Sequence, residues 1–431
     1  MLAIRGKHVV TPAGVRAASV HLRDGRIARV AAWDDLPAVA DIVDAGDYLV
    51  MPGVIDTHVH VNEPGRTEWE GFDSATHAAA AGGITTILDM PLNSIPATTT
   101  VAALEMKRRA AKDKSVVNVE YIGGVIPGNS GELEGLRDAG VRAFKCFLSP
   151  SGVPEFPAVT ESDLREAFPI LERLGLPLMV HAEDPACHLP GPTGGSLRYA
   201  DWLASRPVAA ERSAIEMLIR LMERWPARVH IVHLSSASWL DVVRAAKARG
   251  LPITVETCPH YLTFAAEEIP DGATEYKCAP PIRSAAEREA LWSALIAGEI
   301  DLVASDHSPC PPILKEPDSD FFGAWGGIAS LQISLPAVWT GARARGVSPE
   351  RIAEWMSAAP ARLAGLDNRK GAIKQGYDAD ITIWSPEASF ILDPDTLEHK
   401  HHVTPYAWRE LFGSVVATYV AGKIVFDRNT L

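Results

Sequence analysis

The chain has 431 residues, more than one simple domain uses unless it is a large α/β barrel with an appendage. Its 47% hydrophobic and 22% charged composition is that of a folded globular protein and excludes disorder. The formal net charge of −13 argues against general binding of nucleic acid or an anionic membrane surface. It leaves an anionic small-molecule substrate open, because the field inside a cleft is set locally.

The first ten residues hold no apolar stretch long enough for a signal peptide. No charge-free apolar run approaches the ~18 residues of a membrane-spanning helix. Cys146, Cys187, Cys258, Cys278 and Cys310 are scattered, odd in number and form no C-x-x-C pair. A reduced, cytoplasmic setting is therefore expected.

The N-terminal segment reads as β-structure, with Val20–Arg23 and Arg26–Val30 flanking the turn dipeptide Asp24-Gly25. The C-terminal segment resembles it: Ala379–Trp384 is a strand candidate, and Val415–Val420 and Lys423–Phe426 flank Ala421-Gly422. One small β-domain assembled from residues 1–52 and 366–431 is expected, with two separate β-appendages as the alternative. Between them, over residues 53–365, short β-branched or apolar runs alternate with helical stretches. The runs are Val54–His60, Ile84–Met90, Val116–Ile122, Val141–Leu148, Leu178–Glu183, Val229–Leu234, Ile253–Cys258 and Leu302–Asp306. Helices are expected over Val101–Lys112, Glu161–Leu174, Ser213–Arg224, Ser238–Arg249 and Ala285–Ala297. Eight such strands point to an α/β fold, a (β/α)8 TIM barrel with a small β-sandwich from both termini. A doubly wound open sheet is the alternative, although no G-x-G-x-x-G follows the first strand. The Pro/Gly-rich loops Ser149–Pro157, Leu189–Gly195 and Ser308–Pro317 follow strands and belong at the mouth of such a barrel.

Chemistry gathers at the strand ends. His58 and His60 alternate on one strand, so their rings share a face and can chelate a divalent cation. The later runs contribute Lys145, His181, His233 and Asp306. Taken singly, each has an ordinary explanation: a hydrogen-bonded core histidine, a helix cap, or a lysine that snorkels to water. Together, at the ends where barrel enzymes build their sites, they are expected to surround two metals. A lysine in an apolar strand loses its charge readily. Its neutral amine can take up carbon dioxide to give a carbamate, an anionic bidentate oxygen ligand able to bridge two cations.

This constellation resembles the cyclic amidohydrolases of the amidohydrolase superfamily over essentially the whole chain. The stretches His58–Gly71, Gly82–Asn93, Phe144–Pro157, Ser305–Pro312 and Ala324–Ala329 are similar to those of the allantoinases. Dihydroorotases usually carry an arginine two residues after the second metal histidine, where Asn62 stands, and a histidine where this chain has Cys310. Hydantoinases and dihydropyrimidinases usually carry a tyrosine where Pro150 stands. The resemblance therefore implies hydrolysis of the neutral hydantoin allantoin to allantoate, a step of purine breakdown. The alternatives are a hydantoinase or dihydropyrimidinase, a dihydroorotase, or a catalytically silent scaffold like the dihydropyrimidinase-related proteins.

In the implied site His58 and His60 hold one metal, His181 and His233 the other, and carboxylated Lys145 bridges them. Asp306 ligates the first metal and acts as general acid/base. Zinc is the default, with cobalt, manganese or iron also compatible. Asn93, Cys278, Ala279 and Gly327 are the substrate-facing candidates. Asn93 either contacts substrate or stabilises its own turn, and Cys278 is otherwise a small packing residue. Gly326-Gly327 either admits substrate or permits a tight turn. Glu183 is expected beside the ligands or on an exposed loop, and His399, His401 and His402 as a solvated cluster. Homo-oligomerisation, as a tetramer, comes from the resemblance alone.

Overall fold

The computed structural model describes residues 1–38, 40–316 and 320–428. Pro317 of the third loop and residues 429–431 of the C-terminal segment lie outside the described residues.

Eight strands carry the middle of the chain: β6 (Val54–Val59), β7 (Ile84–Asp89), β8 (Asn118–Gly124), β9 (Ala143–Phe147), β10 (Leu178–His181), β11 (Val229–Ile231), β12 (Ile253–Thr257) and β13 (Leu302–Val303). They pair in sequence order, every ladder parallel. A parallel bridge between Val59 and His307, with His60 N–H donating to the His307 carbonyl at 2.8 Å, joins the last strand to the first. The sheet is thus a closed (β/α)8 barrel, and the open doubly wound alternative falls. Strands β6, β7 and β9 are buried at every residue, because helices cover the outside and side chains fill the inside. Ile55, Leu88, Ile122, Met179, Val232 and Leu302 belong to that inner filling.

The helices begin where the local chemistry allows. Helix Glu161–Leu174 is closed at its start by a capping box between Thr160 and Asp163. It stops at Gly175, whose φ of 69° glycine adopts without strain. Helix Val208–Arg224 starts earlier than expected, directly after Pro207.

The termini build one eight-stranded sheet from β1 (Leu2–Thr11), β2 (Gly14–Arg23), β3 (Arg26–Ala31), β4 (Asp41–Asp44), β5 (Leu49–Pro52), β14 (Ile381–Ile391), β15 (Glu410–Val420) and β16 (Lys423–Asp427). The joint is β5, parallel to β1 through His8↔Leu49 and antiparallel to β14 from Ile381↔Pro52 to Trp384↔Leu49. Ile4, Val20, Val50, Ile381 and Ile383 pack into its core. Two separate appendages are therefore ruled out. Both hairpin turns place two successive residues at positive φ, Asp24 and Gly25 in one, Ala421 and Gly422 in the other. No helix among the described residues is long and apolar enough to cross a membrane.

Candidate active site

Several barrel strands end earlier than the apolar runs suggest, and the difference concerns the site. His60, Glu183, His233 and Asp306 lie just beyond their ladders. His233 and Asp306 have φ of 41° and 47°, a left-handed backbone that costs a non-glycine residue about 1–3 kcal/mol and clusters at functional sites. The chain turns off the sheet at these points and aims the side chains across the barrel mouth.

The result is one cleft of about 560 Å³, open mouth included, at the C-terminal ends of the strands. His58, His60, His181, His233 and Asp306 line it, together with Asn93, Cys278, Ala279 and Gly327. Lys145 is absent from the lining and fully buried on β9, where Met179 is its neighbour on β10.

Ligand atoms of His58, His60 and Asp306 lie within 4.8 Å of one another. The Asp306 carboxylate is 3.2 Å from His58 Nε2 and 3.5 Å from His60 Nε2. His181 Nδ1 faces His233 Nε2 at 3.0 Å. Two buried carboxylates decide which nitrogens are free. His58 Nδ1 donates to Glu256 Oε1 at 2.6 Å, which leaves its Nε2 bare toward Asp306. His181 Nε2 donates to Glu183 Oε2 at 2.8 Å, which leaves its Nδ1 bare toward His233. Glu256 also accepts from His230 Nε2 at 2.9 Å and from the His233 N–H at 3.4 Å.

Burial, with the Lys145 charge nearby, pushes the His58 pKa well below the imidazole range, and burial pushes those of His181 and His233 down too. Neutral imidazoles are the form that binds metal. Burial brings Lys145 down to about 8, and its Nζ has no hydrogen-bond partner among the described residues. Glu183 is held low although burial opposes it, by hydrogen bonds from His181 and His188 and by the charge of Arg206. Asp56, raised to about 6 by burial, accepts from the His58 and Ser305 N–H groups and ties the first strand to the last.

A second grouping, Cys258, His260 and Asp306, shares Asp306 and is also compact enough for an ion. It suits one less well: burial pushes the Cys258 thiol well above its usual range, keeping it protonated. Bare imidazole nitrogens turned toward each other, a partnerless buried amine and a carboxylate between two histidines form a donor set that fits divalent cations.

The substrate-facing candidates are mixed. Asn93, at φ 67°, donates through Nδ2 to Asn62 Oδ1 at 3.0 Å, and its Oδ1 is buried without a partner among the described residues. Its side chain thus ties two loops together rather than closing its own turn. Burial pushes the Cys278 thiol up to about 12, and its S–H donates to the Pro280 carbonyl at 3.3 Å. A Cβ on Gly327 would meet the Ser308 carbonyl oxygen at 2.4 Å, so close backbone approach requires glycine there.

His399 corrects the expectation of a solvated cluster. It is buried, its ring centroid 4.8 Å from that of His307, and its Nε2 accepts the Gln332 N–H at 3.2 Å. The segment between β14 and β15 folds back over the residue after Asp306 and takes His399 with it. His401 remains partly exposed and His402 exposed. Sequence reasoning passed over Glu256 and Arg206. The first had a faint signal, a carboxylate inside an apolar strand; the second had none.

The amidohydrolase family profile matches residues 49–425. The allantoinase of Streptomyces avermitilis is 52% identical over 423 residues, covering 98% of this chain and 94% of that protein. That of Arabidopsis thaliana is 45% identical, covering 98% and 87%. Among solved structures, the L-hydantoinase (dihydropyrimidinase) of Arthrobacter aurescens superposes with a TM-score of 0.93 at 31% identity, covering 99% and 97%.

Proposed function

The chain belongs to the amidohydrolase family, and from that premise we propose that it hydrolyses the hydantoin ring amide of allantoin to give allantoate. It is a metal-dependent cyclic amidohydrolase. The reading rests above all on one observation: the near-complete match to allantoinases falls on a chain whose cleft carries His58, His60, His181, His233 and Asp306. Residues 53–365 form the hydrolase unit in this reading, and 1–52 with 366–431 the composite β-domain.

His58, His60 and Asp306 would hold one divalent ion and His181 and His233 a second, zinc by default, with carboxylated Lys145 between them. Ions so held would supply an activated water at neutral pH and polarise the ring carbonyl. Asp306 takes the proton of the attacking water and delivers it to the departing ring nitrogen. Glu256 and Glu183 hold the His58 and His181 rings in the tautomers that face the cleft. Asn93, whose Oδ1 lacks a partner among the described residues and which lines the cleft, would accept a substrate N–H. The walls that Trp325, Phe147 and Leu92 contribute keep the reacting amide out of bulk water. A cytoplasmic homotetramer completes the proposal; five free cysteines accord with a reducing compartment.

The hydantoinase alternative draws on the fold match to the Arthrobacter enzyme, and Pro150, which lines the cleft, weighs against it. Asn62 weighs against dihydroorotase, since it is engaged with Asn93 rather than offering a cation to a carboxylate. Steady-state hydrolysis of allantoin, hydantoin, dihydrouracil and dihydroorotate by metal-replete protein is the test, with allantoin expected to have the highest kcat/KM. A higher value for dihydrouracil would hand the assignment to dihydropyrimidinase. Absence of stoichiometric metal after chelator-free purification would favour a silent scaffold.

A further inference from the structure

Apart from the histidines assigned to the metals, the cleft presents one cationic side chain among its lining residues, that of Arg206. Arg206 directly follows helix Tyr199–Ser205. Its guanidinium lies over the Trp202 ring at 4.9 Å from the centroid and pairs through Nη1 with Glu183. Its side chain is 16% exposed, whereas Glu183 is fully buried. Among the described residues Glu183 is the one acceptor for its side chain, so N–H donors are left unpaired on a residue that lines the cleft. Glu183 offsets its charge, so what it offers the cleft is a rigid fork of donors more than a free cation.

We infer that Arg206 is the specificity-determining residue of this cleft, donating from its guanidinium to the exocyclic ureido carbonyl of the substrate. The inference rests on the ring-opening reading above. Allantoin differs from hydantoin by that ureido group, a carbonyl acceptor flanked by N–H donors. A ring amide held at the metal histidines would set its substituent against the cleft lining, in which Arg206 is the cationic donor. Asn93 Oδ1 and Trp325 Nε1 are buried without partners among the described residues, and both residues line the same cleft, an acceptor and a donor for the remaining polar atoms. Glu183 Oε2 accepts from both Arg206 Nη1 and His181 Nε2, and this shared acceptor holds the fork in register with the metal side.

The test compares wild type, Arg206→Met and Arg206→Lys, each with its metal content measured. The readouts are kcat/KM on allantoin and the inhibition constants of hydantoin and of dihydroorotate, which carries a carboxylate instead of a ureido group. Arg206→Met should lower kcat/KM on allantoin roughly 10- to 100-fold, the range of a hydrogen bond to a charged group. The hydantoin constant should stay within about two-fold, and metal content should be unchanged. Arg206→Lys, which keeps the charge but loses the fork, should fall between the two. Equal losses for allantoin and hydantoin, or lost metal, would show that Arg206 acts only through Glu183 and His181, and would overturn the inference. So would a loss confined to dihydroorotate, which would make Arg206 a carboxylate counter-ion. A wild type unable to open allantoin would overturn the substrate reading itself, and this role with it.

Discussion

Glu256 sits on a different strand from His58, yet it fixes which ring nitrogen of that histidine faces the cleft. It does so while accepting a second imidazole N–H from His230, so removing its charge disturbs two rings together. Glu256→Gln keeps the shape but puts an amide where a carboxylate accepts, and should cost about 10- to 100-fold in metal affinity or activity. Competition with a chromophoric chelator reads the first, and unchanged affinity and rate would remove Glu256 from the site. Lys145 makes a different demand. With its pKa near 8 instead of 10.5, the neutral amine is scarce at pH 6.5 and dominant above about pH 8.5. Only that form takes up carbon dioxide. At equal dissolved carbon dioxide, metal-stripped protein given zinc should therefore regain activity faster at pH 8.5 than at pH 6.5. Lys145→Ala should lose two-metal binding and be partly rescued by short carboxylic acids; full activity in that variant would remove the carbamate.

At the level of elements, the strand ends carried most of what could be read in advance. Alternation placed His58 and His60 on one face of β6, and Lys145 stood out in β9 because nothing apolar accounts for it. The same reading could not foresee that the chain leaves the ladder before His233 and Asp306, since a positive φ at these residues is imposed by tertiary packing. Nor could it place His399, which is far in sequence from His307 and is buried against it by the returning segment. Arg206 follows a short helix with no periodic signal, and only closure of the barrel brings it to the cleft. The loop from Ala324 to Ile328 is similarly a matter of contact. Adding a methyl at Gly327 forces it against the Ser308 backbone, at a cost of roughly 1–3 kcal/mol. Gly327→Ala should raise KM on allantoin, because the displaced loop is a cleft wall. An unaltered KM would mean that the close approach is incidental to binding.

For the molecule as a whole, the proposed metals bind a set of side chains drawn from strands β6, β9, β10 and β11 and from beyond β13. Apart from the neighbours His58 and His60, these are far from one another in an unfolded chain, so the ions favour the native state. Free metal at a thousand times its dissociation constant adds about 4 kcal/mol by mass action. Chelation should therefore lower Tm as well as abolish turnover, and zinc should restore both. A chelated protein with an unshifted Tm would argue against ions that cross-link the barrel.

The strand β5 has a further consequence, one of timing. Its antiparallel partner β14 begins at Ile381, with the whole barrel encoded between the two. At about 5–20 residues per second, the ribosome delivers that partner roughly a quarter of a minute to a minute after β5 has emerged. Throughout that interval β5 presents an unpaired apolar edge, Leu49-Val50-Met51, to everything in its surroundings. A nascent chain with that edge open is expected to need shielding until Ile381 and the residues after it are made. Messages truncated before Ile381 should yield aggregates even though every barrel strand has been synthesised.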